Sequence, residues 1–319
     1  MVQNEDNTSE DLHRKLDELI QEYEKQGIPN FSDLSVSGAR TLHDELLAIN
    51  KSKREPIKRV RDIEISGPNG PIPVRVYEPD TSGSRPIFVY FHGGGWMFGP
   101  TGGHDHLCRA IAKEGSCTVV SVDYRLAPEH PFPMPLKDCY AATKWVASHP
   151  DLLDGDVTRL ALGGGSSGGN LAAATCLLAR DNGTPSVAHQ FLIYPVLDHN
   201  FETKSYKENG EGYLLTKTDM QWFWNNYVED PVDKKNPYAS PLQVRDASDL
   251  PPTSIIAAGF DPLQEENARY ADRLSKAGVP VEYRLHEDMV HGFLPMLEEP
   301  VLDASCEEVK KIGSTIKSL

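Results

Sequence analysis

The order of apolar and polar positions along the 319-residue chain predicts alternating strands and helices. Short runs that are almost wholly apolar are typical of strands buried on both faces of a parallel sheet. Such runs predict strands at 86–91, 117–124, 159–164, 189–195 and 253–260, with a last strand in "VEYRLHE" from Val281. Helical stretches alternate with them at about 103–115, 135–148, 168–181, 264–277 and 303–317. The alternation predicts an α/β fold, a mostly parallel central sheet with helices on both faces.

Other segments stand outside this alternation. Residues 9–27 and about 33–50 show helical spacing before any strand begins, and Ser9 is the expected N-cap of the first helix. "KRVRDIEIS" and "IPVRVYEP" alternate apolar and polar residues around "GPNG" (67–70), which predicts a β-hairpin. Residues 198–236 interrupt the strand–helix order and are rich in large apolar side chains. We interpret them as a helical cap over a pocket, with ordinary helix packing on the core as the alternative.

Composition excludes several classes of partner. The chain carries 32 Lys and Arg residues against 47 Asp and Glu residues, a formal net charge of −15. Because this field repels phosphate, we expect no nucleic-acid partner and no anionic membrane partner. Five cysteines without a CxxC pair suggest neither a disulfide framework nor a zinc site, which fits a reducing cytoplasm. The first residues lack the features of a signal peptide, and no apolar run is long enough to span a bilayer.

The segment "RLALGGGSSGGNLA" (159–172) runs from a predicted strand through a glycine-rich turn into a predicted helix. The pattern G-x-S-x-G fits it twice, with either Ser166 or Ser167 as the serine. Such a turn exposes one strained serine, and the helix N-terminus behind it stabilises negative charge. A phosphate-binding loop is the alternative, but the P-loop lysine is absent and no strand-end acid follows at the dinucleotide-fingerprint distance.

A serine nucleophile needs a base, and the base needs an acid that orients it. Asp261 ends the predicted strand 253–260, and His291 follows the last predicted strand. The order serine, acid, histidine is that of α/β-hydrolases. We therefore prefer Asp261 and His291 over the competing candidates, which are His286 within the strand and the acids Asp288, Glu265 and Glu266.

"FHGGGWMFG" (91–99) places three consecutive glycines directly after the predicted strand 86–91. Attack on an ester carbonyl creates an oxyanion that preset hydrogen-bond donors must meet. Bare glycine backbone allows N–H groups to approach that point closely. We interpret the glycines as an oxyanion loop, since a flexible turn accounts for one glycine but poorly for three.

Five motifs together resemble the hormone-sensitive-lipase-type carboxylesterases of the α/β-hydrolase superfamily. They are "HGGGW" (92–96), "VDYRLAPEHPFP" (122–133), "GGSSGGNLA" (164–172), "DPL" (261–263) and "HGF" (291–293). The resemblance implies the α/β-hydrolase fold and places the nucleophile at Ser166, with Asp261 and His291 completing a catalytic triad. It implies an oxyanion hole built by backbone N–H groups of Gly93, Gly94, Gly95 and Ser167.

The resemblance also implies a division of the chain and a class of substrate. Residues 1–50 and 198–236 form the cap, and residues 51–197 with 237–319 form the catalytic domain. Similar proteins hydrolyse esters of short to medium acyl chains without a cofactor or a metal, and a homodimer is common among them. The expected apolar substrate pocket, whose members could equally be packing residues, comprises Trp96, Phe98, Tyr213 and Leu214.

The chain departs from the family pattern beside the nucleophile. Gly165 stands where Asp is usual, and Ser167 stands where Ala is usual. The acid motif reads "DPLQEE" rather than "DPLRDE", which leaves Asp261 in place, and Glu129 in "APEHPFP" is expected to support the site rather than react. Two other functions stay open: a ligand receptor, which in this family lacks the histidine present here as His291, and an amidase or deacetylase.

Overall fold

The computed structural model describes residues 12–49, 55–99, 103–297 and 300–319. Within these ranges, eight strands form one sheet in the order β1-β2-β4-β3-β5-β6-β7-β8. The strands are β1 (Arg59–Gly67), β2 (Gly70–Glu78), β3 (Arg85–Phe91), β4 (Thr118–Val122), β5 (Gly155–Gly165), β6 (His189–Ile193), β7 (Thr253–Phe260) and β8 (Val281–Val290). The pairs β1–β2 and β2–β4 are antiparallel and all others are parallel, so the predicted hairpin and the mostly parallel sheet are both confirmed.

Helices cover both faces of the sheet and form the segments outside it. They are α1 (Arg14–Gln26), α2 (Val36–Ile49), α3 (Asp105–Gly115), α4 (Met134–Ser148), α5 (Pro150–Leu153), α6 (Ser167–Asp181), α7 (Lys204–Asn209), α8 (Lys217–Tyr227), α9 (Gln264–Lys276) and α10 (Asp303–Ser318). The predicted cap residue Ser9 lies outside the described residues. Helix α1 starts later than predicted, at Arg14, and the side chain of His13 accepts a hydrogen bond from the Lys15 N–H. None of the described helices has the length and apolarity needed to cross a membrane.

The continuous apolar character of strand β3 follows from its position between two hydrophobic clusters. Ile87, Val89 and Phe91 belong to the cluster that includes residues of α4, α6 and α8. Phe88 and Tyr90 belong to the cluster on the other face, with residues of α1, α3 and α10. Because successive side chains of a strand point to opposite faces, a strand covered on both sides is apolar on both faces, as in residues 86–91 of β3.

The parallel strands bring distant parts of the chain to one edge of the sheet. Strands β5, β6, β7 and β8 are neighbours, with Gly165 paired to Ile193 and Phe260 to Val290 near their carboxyl ends. The residues that follow β5, β7 and β8 are Ser166, Asp261 and His291. They therefore leave the sheet at the same edge although up to 125 positions separate them.

The segment 198–236 is helical, as its composition predicted. It contains α7, α8 and a short 3-10 helix, Pro231–Lys235. The Asp219 carboxylate accepts hydrogen bonds from the Ser32 N–H (2.8 Å) and from the Thr216 hydroxyl (2.7 Å). Asp219 is buried, so this contact ties the segment firmly to the N-terminal part of the chain.

Candidate active site

Ser166 occupies a sharp turn between β5 and α6. Its backbone has φ 56° and ψ −119°, a conformation that side-chain-bearing residues rarely adopt. The Ser166 N–H donates to the carbonyl oxygen of Ile193 (2.9 Å), which holds the turn against β6. A Cβ atom added at Gly164 or Gly168 would collide with the carbonyl oxygen of Phe91, so the turn can press against β3 only with glycine at both positions.

His291 lies between Ser166 and Asp261. Its Nε2 is 2.9 Å from the Ser166 Oγ, and its Nδ1 is 2.8 Å from the Asp261 Oδ2. The second carboxylate oxygen of the fully buried Asp261 accepts the Leu263 N–H at 2.8 Å. An ionised Asp261 can only accept, so the imidazole donates from Nδ1 and its Nε2 is free to accept the serine proton. This arrangement can activate a hydroxyl for attack on a carbonyl carbon.

The competing candidates have other partners. The His286 Nε2 lies 3.1 Å from the Glu308 Oε1 on α10. The carboxylate of the buried Glu266 accepts the Leu197 N–H (2.7 Å), and burial raises the pKa of Glu266 well above its usual range. The Glu265 carboxylate accepts the Lys204 N–H (2.8 Å). Asp288 lies within β8. The hydrogen-bond contacts that lead from Ser166 run to His291 and from it to Asp261.

The glycine loop lies directly against the serine turn. A Cβ atom at Gly93 would be 3.0 Å from the carbonyl oxygen of Gly165 and 3.6 Å from the Cβ of Ser166. Gly94 and Gly95 have φ values of 114° and 58°, which favour glycine. Within the described chain, no backbone carbonyl accepts from the N–H of Gly94 or Gly95. Ser167 opens α6, where an N–H has no partner within its own helix.

His92 and Tyr124 fix the start of the glycine loop, and sequence reasoning did not single them out. Burial lowers the pKa of His92 to about 4, so its ring is neutral at neutral pH, and Nδ1 lies 2.8 Å from the Gly93 carbonyl oxygen. The Tyr124 ring stacks on the His92 ring, with centroids 4.2 Å apart, and its hydroxyl donates to the His92 carbonyl oxygen (2.7 Å). A peptide group is planar and trans, so fixing the Gly93 carbonyl also fixes the direction of the Gly94 N–H. Both residues lie in the quoted motifs, which were the available signal.

The four residues predicted for the substrate pocket have two different environments. Trp96 is fully buried and stacks on Tyr227, with ring centroids 4.1 Å apart. Phe98 is buried against the ring of Phe223 (5.4 Å). Tyr213 and Leu214 instead line a cavity of about 360 Å³ between the N-terminal helices and residues 212–219. The surroundings of Trp96 and Phe98 are therefore those of packing residues, as the alternative interpretation predicted. A role in the substrate pocket stays a prediction for all four residues.

The two departures from the family pattern cause no steric conflict. A Cβ atom at Gly165 would first meet the Tyr194 ring at 3.4 Å, an ordinary contact distance. Ser167 is buried at the first position of α6, and its backbone N–H is unaffected by the side chain. Among the described residues, no group of three or more His, Cys, Asp or Glu side chains is placed to hold a metal ion.

Known proteins resemble this chain in sequence and in structure. A family model described as the alpha/beta hydrolase fold matches residues 88–295. The carboxylic ester hydrolase LipN of Mycobacterium tuberculosis is 44% identical over 245 residues, which cover 75% of this chain but only 65% of LipN. The esterase LipI of the same organism is 39% identical over 262 residues, covering 81% of this chain and 82% of LipI. The hyperthermophilic esterase of the archaeon Pyrobaculum calidifontis superposes with a TM-score of 0.91 at 41% identity, covering 96% of this chain and 98% of that esterase.

Proposed function

The chain belongs to the α/β-hydrolase fold family and is a serine-type ester hydrolase, and from that premise we propose that Ser166, His291 and Asp261 are its catalytic triad. One observation carries the proposal. An unbroken row of hydrogen-bond contacts runs from the Ser166 Oγ through the imidazole of His291 to the buried Asp261 carboxylate. The strained backbone of Ser166 supports the same assignment, because strain of this kind is typical of nucleophile turns.

The first half of the reaction acylates the serine. The Ser166 Oγ attacks the ester carbonyl carbon while the His291 Nε2 accepts the hydroxyl proton, and the Asp261 carboxylate stabilises the resulting imidazolium. The oxyanion of the tetrahedral intermediate accepts hydrogen bonds from the N–H groups of Gly94, Gly95 and Ser167, and the N–H of Gly93 is the fourth proposed donor. His291 then gives its proton to the departing alkoxide, which leaves as the alcohol.

The second half of the reaction releases the acid. Water replaces the alcohol, and His291 accepts a proton from the water as its oxygen attacks the acyl carbon. The same backbone donors bind the second oxyanion. Ser166 recovers its proton from His291, and the carboxylic acid leaves. Apart from the ester and the water, the proposed steps use only groups of the protein.

We also propose a division of the chain and a class of substrate. We assign residues 1–50 and 198–236 to the cap, and residues 51–197 with 237–319 to the catalytic domain. The contact between Ser32 and the buried Asp219, which joins the two proposed cap segments, supports this division. We propose esters with short to medium acyl chains as the substrates, as the resemblance of the motifs implies.

Two single-residue variants test which serine reacts. Ser166→Ala is expected to lower kcat for a nitrophenyl ester by several orders of magnitude, on the order of 10⁶-fold when a triad serine is removed. Ser167→Ala keeps its backbone N–H and is expected to lose far less activity. Steady-state kinetics on a series of nitrophenyl esters of increasing acyl length gives both results and the acyl preference. Equal losses in the two variants, or an unimpaired Ser166→Ala protein, would refute the assignment.

A further inference from the structure

Arg40 of helix α2 makes its hydrogen bonds at the glycine loop. Its Nε donates to the carbonyl oxygen of Met97 (3.0 Å), and its Nη2 donates to the carbonyl oxygen of Ala127 (3.0 Å). Both terminal nitrogens also donate to the Glu129 carboxylate, each at 2.7 Å. One guanidinium therefore joins helix α2 to two loops of the proposed catalytic domain.

The Met97 carbonyl belongs to a tight turn that controls the direction of one proposed oxyanion donor. The N–H groups of Met97 and Phe98 both donate to the carbonyl oxygen of Gly94, at 3.0 and 2.9 Å. The Gly94 carbonyl and the Gly95 N–H share one peptide group, which is planar and trans. Holding the Gly94 oxygen inside the turn therefore holds the Gly95 N–H pointing the opposite way, out of the turn.

A second hydrogen bond closes the connection between the two loops. The Ala127 N–H donates to the Trp96 carbonyl oxygen at 2.9 Å. Arg40 bonds the carbonyl groups of Met97 and Ala127 on either side of this contact. The planar guanidinium matches such a set of acceptors, whereas the ammonium of lysine is a point charge on a flexible stem.

The ion pair with Glu129 orients Arg40 rather than stabilising the fold. The Glu129 side chain is 55% exposed, and ion pairs in solvent contribute little to stability. Arg40 lowers the pKa of Glu129 to about 2, so the carboxylate stays ionised in mild acid and the pair persists there. The bonds from Arg40 to the two carbonyl groups are the ones that act on the loop.

We propose that Arg40 is a positioning residue for the oxyanion donors. Through Arg40, the alignment of the Gly95 N–H depends on the position of helix α2 relative to the glycine loop. The inference rests on the proposed function and deepens it. It assigns helix α2 a part in transition-state stabilisation in addition to its proposed part in the cap. Arg40 acts through the Met97 carbonyl and the turn, so it contacts neither the substrate nor the reacting atoms.

Replacing the substrate oxygen by sulfur tests the proposal. A thionoester carries C=S in place of C=O, and its sulfur accepts hydrogen bonds from N–H donors more weakly. An enzyme with aligned donors therefore hydrolyses the oxygen ester faster than the matched thionoester. Because loss of one oxyanion donor costs roughly 10²–10³-fold in rate, misalignment in Arg40→Met is expected to lower kcat for the oxygen ester about 10- to 100-fold. We expect KM to change little, the thionoester rate to fall less, and the oxygen-to-sulfur rate ratio to shrink.

Two variants of the same cluster grade the effect. Arg40→Lys retains one donor group and is expected to restore part of the rate ratio. Glu129→Gln leaves the bonds from Arg40 to Met97 and Ala127 in place and is expected to reduce the ratio least. We therefore expect the oxygen-to-sulfur rate ratio to be reduced most in Arg40→Met, less in Arg40→Lys and least in Glu129→Gln. If Arg40→Met fails to fold, the rate ratio of Arg40→Lys is measured instead. An Arg40→Lys rate ratio equal to that of the wild type would then overturn the proposal.

Arg159→Met is the matched control. Arg159 also bonds a carboxylate, that of Asp156 (2.8 Å), and a backbone carbonyl, that of Ser84 (2.9 Å), and its side chain is exposed to a similar extent. It lies in the first half of β5, away from the serine turn. We expect this variant to keep the wild-type rate ratio whatever its thermal stability.

An equal fall of the oxygen-ester and thionoester rates in Arg40→Met would overturn the proposal, because it would indicate a general structural loss. An unchanged kcat would overturn it as well. Neither result would touch the triad, which the Ser166→Ala variant tests separately.

Discussion

At the scale of single residues, the glycines of the serine turn differ in what they tolerate. Gly164 and Gly168 face the backbone of β3, where a Cβ atom has no room. Gly165, between them, would place a Cβ atom at an ordinary distance from Tyr194. The family resemblance implies an Asp at the position of Gly165, which agrees with this difference. The absent side chain here is therefore a property of this sequence and not a requirement of the turn.

This contrast predicts the outcome of a matched pair of variants. Gly165→Ala is expected to keep kcat/KM within about threefold and to leave Tm almost unchanged. Gly168→Ala should destabilise the fold by about 1–3 kcal/mol or more, as overpacking does, and should lower kcat/KM by more than tenfold because the serine turn must move. Thermal unfolding and ester hydrolysis measure both effects. A Gly168→Ala protein that matches Gly165→Ala in both would contradict the packing described for the turn.

His92 predicts how stability depends on pH. Burial lowers its pKa to about 4 in the folded chain, whereas an unfolded histidine titrates near 6.5. Between these values the unfolded chain binds a proton at His92 that the folded chain does not, so the contribution of His92 to the free energy of unfolding falls as the pH falls from about 6.5 to 4. One such histidine contributes a slope of about 1.4 kcal/mol per pH unit. Urea unfolding between pH 7 and pH 5 measures the slope. The buried His104 and His189 add to it in the same direction, whereas burial raises the pKa of Asp123 and of Glu266, which act in the opposite direction.

The variant His92→Gln is expected to reduce that slope by the contribution of one proton, about 1.4 kcal/mol per pH unit. His130→Gln, which removes an exposed histidine instead of a buried one, is the matched comparison. Identical slopes for His92→Gln and the wild type would mean that His92 does not resist protonation in the folded chain.

At the scale of elements, the sequence predicted the sheet well, because each buried strand carries a continuous apolar run. Strand β7 coincides with the predicted 253–260, and β8 extends to Val290, immediately before His291. The start of α1 was not predictable from spacing, since Leu12 fits the apolar face but lies outside the helix. The partners of the glycine loop were not predictable either, because Arg40 and Tyr124 reach it through tertiary contacts between distant segments.

The contact between the two proposed cap segments gives a prediction at this scale. Asp219 accepts the Ser32 N–H and the Thr216 hydroxyl, and it is almost completely buried. Asp219→Ala leaves these donors without a partner and is expected to destabilise the protein by about 1–3 kcal/mol. If the segments cover the substrate, KM should rise more for longer acyl chains than for acetate. Urea unfolding and a chain-length series of nitrophenyl esters measure the two effects.

Asp230→Ala serves as the comparison for that experiment. Asp230 caps a short helix within residues 198–236 by accepting the Val232 N–H (2.9 Å), and it does not bridge the segments. Its removal is expected to leave KM unchanged for every chain length. The cap assignment would be contradicted if Asp219→Ala altered stability while KM kept the same dependence on acyl length as in Asp230→Ala.

At the scale of the whole molecule, sequence and structure agree on an ester hydrolase and leave the choice between ester and amide to experiment. Both substrates pass through a tetrahedral intermediate, so the triad alone does not separate them. The relatives named above are carboxylic ester hydrolases and esterases, which favours the ester. We expect a nitrophenyl ester to be hydrolysed much faster than the matched anilide, because a phenolate departs more readily than an anilide nitrogen. Comparable rates would favour an amidase.

The identity of the reacting serine is the claim on which the whole account depends. The two adjacent serines satisfied the same motif, and the position of His291 beside the Ser166 Oγ is what separates them in the structure. Stoichiometric labelling with an aryl phosphonate, followed by peptide mass spectrometry, tests the claim most directly. We predict one phosphonyl group per chain, attached to Ser166, and no label in the Ser166→Ala protein. Label on Ser167, or none on the segment 159–172 of the active enzyme, would contradict the account.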